Sequence, residues 1–173
     1  DFIYYAELFI HTSDSEKKKN MCRLFDRKDH TFVGSQLFIE TAQYYATIGQ
    51  WNDALTIIET AINYFSYSKE SVYPLLYYYK AWILAEKGSP IKSINAILKN
   101  VKKTNYFFPV SVENINVLKK LSDIAPGDAQ LHNAIGNAFY FYRRHLEAIE
   151  EWGKATSINV NDATTHRNIA NAT

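Results

Sequence analysis

The sequence predicts an all-α protein made of repeated helix pairs, and three observations support this fold class. Gly and Pro are scarce, with six and four in 173 residues, so few turns interrupt the chain. Apolar residues recur at helical spacing rather than at the alternating spacing of strands. The pattern that begins at residue 128 begins again at residue 162, and a period of about 34 residues is typical of stacked helix–turn–helix units.

Residues 128–161 form the clearest unit. Leu131, Ile135 and Phe139 lie on one face of a first helix, and Ile149 and Trp152 lie on one face of a second. The pattern then restarts at residue 162. Four pairs of residues correspond, one period apart: His132 and His166, Ile135 and Ile169, Gly136 and Ala170, Asn137 and Asn171.

This unit resembles the tetratricopeptide repeat (TPR) family. That family places small residues where its two helices touch and aromatic residues in the gap toward the next unit. The matching positions here are Gly136, Phe139, Ala148, Trp152 and Ala155. His132 replaces the family's usual large aromatic residue, and Val160 replaces its usual proline. The resemblance implies a right-handed α-α superhelix, a TPR-like helical-repeat solenoid.

Earlier units fit the same frame with less regularity. Helix pairs are predicted over about 31–66 and 72–103, with Gly49 and Gly88 at turns that need a positive φ. The small-residue positions Ala81 and Gly136 are separated by more than one period, so one extra helix is predicted over 110–124. We expect residues 1–30 to form a degenerate helix and polar linker.

The last predicted unit, 162–173, is partial. It supplies only a first helix, and such a helix leaves its apolar face uncovered. We therefore expect the chain to be part of a longer protein. The sequence leaves open whether the array self-associates through this uncapped C-terminal end.

A wider resemblance covers residues 30–173. The segments Tyr106–Pro109, Ala125–Asp128 and Glu147–Trp152 are similar to TPR arrays of large bacterial proteins that also carry a sugar-binding-like β-domain. The resemblance implies a bacterial scaffold with a link to carbohydrate metabolism, and it supplies no catalytic residue.

Composition argues against several functions. Nineteen basic residues against eighteen acidic ones leave almost no net charge, so no overall electrostatic field would attract nucleic acid or anionic lipid. No apolar run is long enough to cross a membrane. Cys22 is the only cysteine, and no carboxylate is at ligand spacing beside His132 or His166, so we expect neither metal nor cofactor. No catalytic motif is present. We predict a cytoplasmic protein that is not an enzyme.

The predicted site is the concave groove that the first helices of such arrays line. Asn side chains suit it because each amide both donates and accepts, and an Arg can hold a carboxylate with two hydrogen bonds. Only part of the set that clamps a carboxylate in some TPR domains is present. The inward-facing candidates are Gln36, Gln43, Tyr78, Trp82, Glu86, Asn133, Asn137, Tyr140, Arg167 and Asn171.

The sequence therefore predicts a scaffold that binds a protein or peptide partner. The alternative is an accessory domain that helps a neighbouring carbohydrate-active domain bind sugar, with Tyr78 and Trp82 as stacking residues. Helical-repeat RNA binding is a third hypothesis, which the net charge disfavours. Residues 106–108, Tyr-Phe-Phe, either cover the array as a plug or offer a contact patch.

Overall fold

The structure, a computed structural model, describes residues 10–12, 15–16, 31–67, 72–101, 107–109 and 111–172. Between residues 31 and 172 the described part of the chain forms helices and no strand. The helices are α1 (Thr31–Thr47), α2 (Trp51–Tyr67), α3 (Pro74–Glu86), α4 (Ile91–Leu98), α5 (Val112–Ile124), α6 (Ala129–Phe141), α7 (His145–Ile158) and α8 (Ala163–Ala172). The predicted all-α, helical-repeat fold is confirmed.

Local chemistry sets where several helices begin. Pro74 opens α3, at a position where its missing N–H has no intrahelical acceptor. The Ser111 hydroxyl accepts a hydrogen bond from the Asn114 N–H at 3.1 Å and caps α5. Asp128 caps α6 in the same way, accepting from two backbone N–H groups at 3.0 and 3.2 Å.

The turns within the helix pairs share one geometry. Gly49 and Gly88 have φ values of 80° and 76°, which confirms the predicted turns after α1 and α3. The third turn, between α6 and α7, places Arg143 at a φ of 59°. In this turn the Arg144 N–H donates to the Phe139 carbonyl at 2.9 Å, the pattern of a helix that closes through a left-handed residue.

The chain divides into two compact units, and the first comprises residues 1–97. Here α1 packs against α2, and α3 contacts both of them. The small residues Ala42 and Ala81, which the repeat pattern places at helix contacts, are fully buried. The other fully buried side chains of this unit include Ile39, Ile58, Leu75, Leu76, Tyr78 and Tyr79.

The second unit comprises residues 98–173. Its helices pack in chain order, α5 on α6, α6 on α7 and α7 on α8. Leu118 and Leu121 of the extra helix are fully buried, as are Leu131 and Ile135 of α6. The extra helix is thus part of this unit's core rather than a linker.

Several predictions concern residues at the margins of the described ranges. Cys22 and Tyr106 lie outside them, as does most of the segment 1–30. Phe107 is buried, as expected of a plug, whereas Phe108 is 59% exposed, as expected of a contact patch.

Of the helices that are described, none is long and apolar enough to cross a membrane.

Candidate functional site

Trp152 and Gly136 form the tightest contact between α6 and α7. A Cβ atom added to Gly136 would lie 2.5 Å from Trp152 Cδ1 and 2.6 Å from its Nε1, so only glycine fits beneath the indole. The indole Nε1 donates to Asn137 Oδ1 at 3.2 Å. The Tyr140 ring lies 5.6 Å from the indole, between centroids. Trp152 therefore contacts both of these groove candidates of α6.

Asn133 joins the two first helices of the second unit, α6 and α8. Its Nδ2 donates to Asp162 Oδ2 at 2.9 Å, and its Oδ1 accepts from the Thr165 hydroxyl at 2.7 Å. Asp162 in turn caps α8, because its Oδ1 accepts from the Thr165 N–H at 3.1 Å. Asn133 is 8% exposed. Both the oxygen and the nitrogen of its amide thus bind side chains of the protein itself, and its role as a ligand contact stays a prediction.

His132 forms a buried ion pair with Glu151. The two side chains meet at 2.7 Å through Nδ1 and Oε2, while Nε2 lies 3.2 Å from the Pro126 carbonyl. A carbonyl and an ionised carboxylate both accept, so each ring nitrogen must carry a proton. The hydrogen bond to Glu151 raises the pKa of His132 above 6.5, against the opposing effect of burial.

Glu151 is held ionised by its neighbours. Burial by itself raises the pKa of Glu151, but hydrogen bonds from His132 and Lys154 outweigh it and lower the pKa below 4.5. Lys154 Nζ lies 2.7 Å from Glu151 Oε1. The carboxylate therefore has cations on both of its oxygens.

The exposed candidates of the second unit are Tyr140, Arg167 and Asn171. Tyr140 is 42% exposed, and its ring also lies 5.0 Å from the ring of His145. Arg167 and Asn171 are exposed on α8, and Arg167 has no ion-pair partner among the described residues. The Nδ2 of Asn137 also has no acceptor within the described part of the chain, but Asn137 is only 7% exposed. Tyr140, Arg167 and Asn171 therefore remain able to bind a partner.

In the first unit, the polar candidates of α1 bind other side chains of the protein. Gln43 Nε2 donates to the Tyr79 hydroxyl, which ties α1 to α3. Gln36 Nε2 donates to Glu40 Oε1 at 3.1 Å along its own helix. Tyr78 is fully buried. It is therefore a core residue, and its predicted place in the groove was wrong because its ring is enclosed by the packed helices.

Trp82 is half-buried in a small aromatic cluster. Its ring lies edge-on to Trp51 and Tyr79, with centroids 5.5 and 5.7 Å away. Its Nε1 donates to Glu86 Oε1 at 2.9 Å. The side chain is thus oriented by three contacts and keeps part of its surface open to solvent.

Glu151 and Asp162 were not predicted from the sequence as part of the site. Glu151 is 19 residues from His132, and Asp162 is 29 from Asn133, so no local motif links either pair. Glu151 is three residues after Ala148 and four before Ala155, which are both buried, and this helical spacing was the available signal. Within the described part of the chain, no group of three or more His, Cys, Asp or Glu side chains is arranged to hold a metal ion.

Solved structures with a distant likeness to this chain include two helical proteins. No protein-family model matches the chain, and no curated protein matches it. One similar solved structure is that of MamA protein, at 14% identity over 97% of this chain and 80% of that one, with a TM-score of 0.38. Another is the C-terminal part of a TPR repeat-containing protein from Cytophaga hutchinsonii, at 17% identity over 99% and 70%, with a TM-score of 0.34. Likenesses this distant carry no conclusion about function.

Proposed function

We propose that the chain is a scaffold that binds a protein or peptide, and that its contact surface is the first-helix face of α6 and α8. The observation that carries the proposal is the Asn133–Asp162–Thr165 network. It joins α6 to α8 and leaves exposed polar groups beside the joint. A polar surface on helices held by buried hydrogen bonds is suited to binding in a fixed geometry.

The chemistry of this surface favours an extended peptide with a carboxylate. Arg167 offers a guanidinium that can hold a carboxylate through two parallel hydrogen bonds. The Asn171 amide can donate to peptide carbonyls. Tyr140 supplies an amphipathic ring against which an apolar side chain can pack. None of these groups forms a nucleophile–base pair, so we propose binding rather than catalysis.

The test is a selection of peptides on the purified chain, followed by calorimetry with variants. We expect Arg167→Ala/Asn171→Ala to weaken the selected peptides by roughly tenfold or more, because a charged hydrogen bond contributes about 1.5–3 kcal/mol. Both residues are exposed, so the double variant keeps the core. Lys92→Ala, which removes an exposed cation from α4, is the matched control and leaves affinity unchanged.

Two results would contradict the proposal. One is a selection that yields no binder. The other is a set of binders whose affinities are the same for the double variant as for the control. Substitution of Asn137 makes a less sharp test, since its Oδ1 accepts from Trp152 and its loss also disturbs packing.

Support for the alternative, an accessory role in sugar binding by a neighbouring domain, rests on Trp82, whose half-buried ring belongs to an oriented aromatic cluster. Titration of mixed oligosaccharides against tryptophan fluorescence tests this alternative. A saturable change that disappears in Trp82→Phe would favour it, and a flat titration would remove it.

A further inference from the structure

The turn between α6 and α7 carries exposed apolar side chains at the end of a helix pair. Phe141, the last residue of α6, is 63% exposed, and Leu146, the second residue of α7, is 83% exposed. Tyr142 is 40% exposed, and its ring lies edge-on to that of Phe141, with centroids 5.3 Å apart. Exposed apolar residues are ordinary when they are scattered singly, whereas these three are grouped at one turn.

The equivalent positions of the first unit show that a following helix pair does not cover such a turn. Phe141 is two residues before the residue of positive φ in its turn, and Leu146 is three residues after it. The corresponding residues after α1 are Thr47 and Asn52, which are polar. Both are exposed although α3 and α4 follow them in the same unit. Positions of this kind therefore face solvent even within a continuing series of helices.

Cations lie beside these apolar side chains. Arg143 and Arg144 form the turn itself, and both are exposed. The Arg144 guanidinium lies 4.6 Å from the centre of the Phe139 ring, and Lys119 Nζ of α5 lies 5.8 Å from it. Glu147 pairs with Arg144. Three cations against this one carboxylate leave a local positive excess, which the near-neutral charge of the whole chain conceals.

Arg143 occupies its position at a conformational cost. Its φ is 59°, whereas the turns after α1 and α3 place Gly49 and Gly88 there, at φ values of 80° and 76°. Glycine adopts this region without the cost that a side chain adds. The Arg143 guanidinium has no ion-pair partner within the described ranges, so no such contact offsets the cost. A residue kept in a costly conformation points to a use for its side chain outside the protein.

The exposure of these five residues, the α6–α7 tip (Phe141–Arg144 and Leu146), favours a lipid surface over a protein as the occupant. A side chain that is 83% exposed projects into solvent and lines no groove that could enclose a peptide. The exposed parts of the apolar residues amount to roughly a few hundred Å². A stable interface with a folded partner or a second copy buries about 800 Å² on each side. A bilayer needs no preformed cleft and takes up projecting apolar side chains.

We propose that the α6–α7 tip anchors the chain to the surface of an anionic membrane. Phe141 and Leu146 enter the boundary between headgroups and acyl chains, where aromatic and aliphatic side chains partition favourably. Arg143 donates to lipid phosphate, and the local positive excess favours anionic lipid. The tip shares no residue with the peptide surface of α6 and α8 proposed above, so failure of either proposal leaves the other standing.

Sedimentation of the full chain with vesicles tests the proposal. The probes are vesicles of about two parts phosphatidylcholine to one part phosphatidylserine, and vesicles of phosphatidylcholine alone. We expect saturable binding to the anionic vesicles. Binding to the neutral vesicles is expected to be at least about fivefold weaker, because each cation near an anionic surface contributes roughly that factor.

Matched variants separate insertion, charge and folding. Phe141→Gln/Leu146→Gln is expected to weaken binding by about tenfold or more, because two exposed apolar side chains are lost. Ile91→Gln removes the exposed apolar residue at the position equivalent to Leu146 after α3, and it leaves binding unchanged. Arg143→Gly is expected to weaken binding about fivefold without lowering Tm, since glycine suits the positive φ. Unfolding cannot then explain the loss.

Insertion depth gives a second measurement. With Phe141→Trp, brominated acyl chains are expected to quench the added indole more than any tryptophan of the wild type. Absence of that quenching overturns the proposal, as does an absence of binding or equal binding to the two kinds of vesicle. Binding that the double variant or Arg143→Gly leaves unweakened also overturns it. An oligomer of the chain alone that the double variant abolishes would assign the tip to a protein interface instead.

Discussion

Gly136→Ala is the substitution that tests the packing of the second unit most directly. The new Cβ would lie 2.5 Å from Trp152 Cδ1, where ordinary contacts are wider by about 1 Å or more. The indole has little freedom to move, since it is 2% exposed, donates to Asn137 and packs on Tyr140. The substitution therefore forces a shift of α7 relative to α6 or a strained tryptophan rotamer.

Two opposing effects decide the size of the change in the free energy of unfolding. Overpacking a well-filled core costs about 1–3 kcal/mol. Replacing a helical glycine by alanine contributes about 1 kcal/mol of stability through helix propensity. Gly153 in α7 gives the matched control, because a Cβ there meets nothing within 4 Å. We expect Gly153→Ala to stabilise by about 0.5–1 kcal/mol and Gly136→Ala to destabilise by up to about 2 kcal/mol.

Thermal and urea unfolding followed by circular dichroism measure both changes. For a chain of this length, 1 kcal/mol corresponds to about 2–4 °C in Tm, so the two variants separate by several degrees. Adding Trp152→Leu to Gly136→Ala is expected to cost less than the sum of the two single changes, because the Cβ then fills space that the indole leaves. A Gly136→Ala protein as stable as the Gly153→Ala control would refute the reasoning.

Two further predictions concern the ion pair and the strained turn. The pKa of His132 is raised above 6.5 and that of Glu151 is lowered below 4.5. Their ion pair therefore stabilises the folded state fully between pH 4.5 and pH 6.5. Stability is lost as pH rises through the raised His132 pKa, with a slope of at most about 1.4 kcal/mol per pH unit, and falls again in acid as Glu151 is protonated. Urea titrations at several pH values should show this slope in the wild type and not in His132→Gln. Arg143→Gly is expected to stabilise by about 1 kcal/mol, since Arg143 has a φ of 59° where the equivalent turns use glycine; an unchanged or lower Tm would contradict this.

The apolar framework of the second unit could be predicted from the sequence. The repeated pattern places Gly136, Ala148, Trp152 and Ala155 at helix contacts, and the last three are at most 2% exposed. Helical periodicity is sufficient for this because burial of small and aromatic residues depends on which face they occupy. Glycine at the turns after α1 and α3 was predictable for a similar reason, since few other residues adopt a positive φ at low cost.

The polar contacts could not be predicted in the same way. Asn133 and Asn137 are residue types expected in a solvated groove, yet they are only 8% and 7% exposed. Their partners come from different helices, and the distances between helices are not encoded in the period of one helix. Arg143 shows the same limit, because the sequence around it contains no glycine to mark a left-handed residue.

These buried polar contacts have a consequence for the binding surface. A buried donor or acceptor that loses its partner costs about 1–3 kcal/mol. A shift of α8 along α6 would separate Asn133 from both Asp162 and Thr165, and a shift of α7 would separate His132 from Glu151. The two networks therefore hold α6, α7 and α8 in one register. Because α8 carries exposed groups of the proposed binding surface, that register also fixes the spacing that a partner would meet.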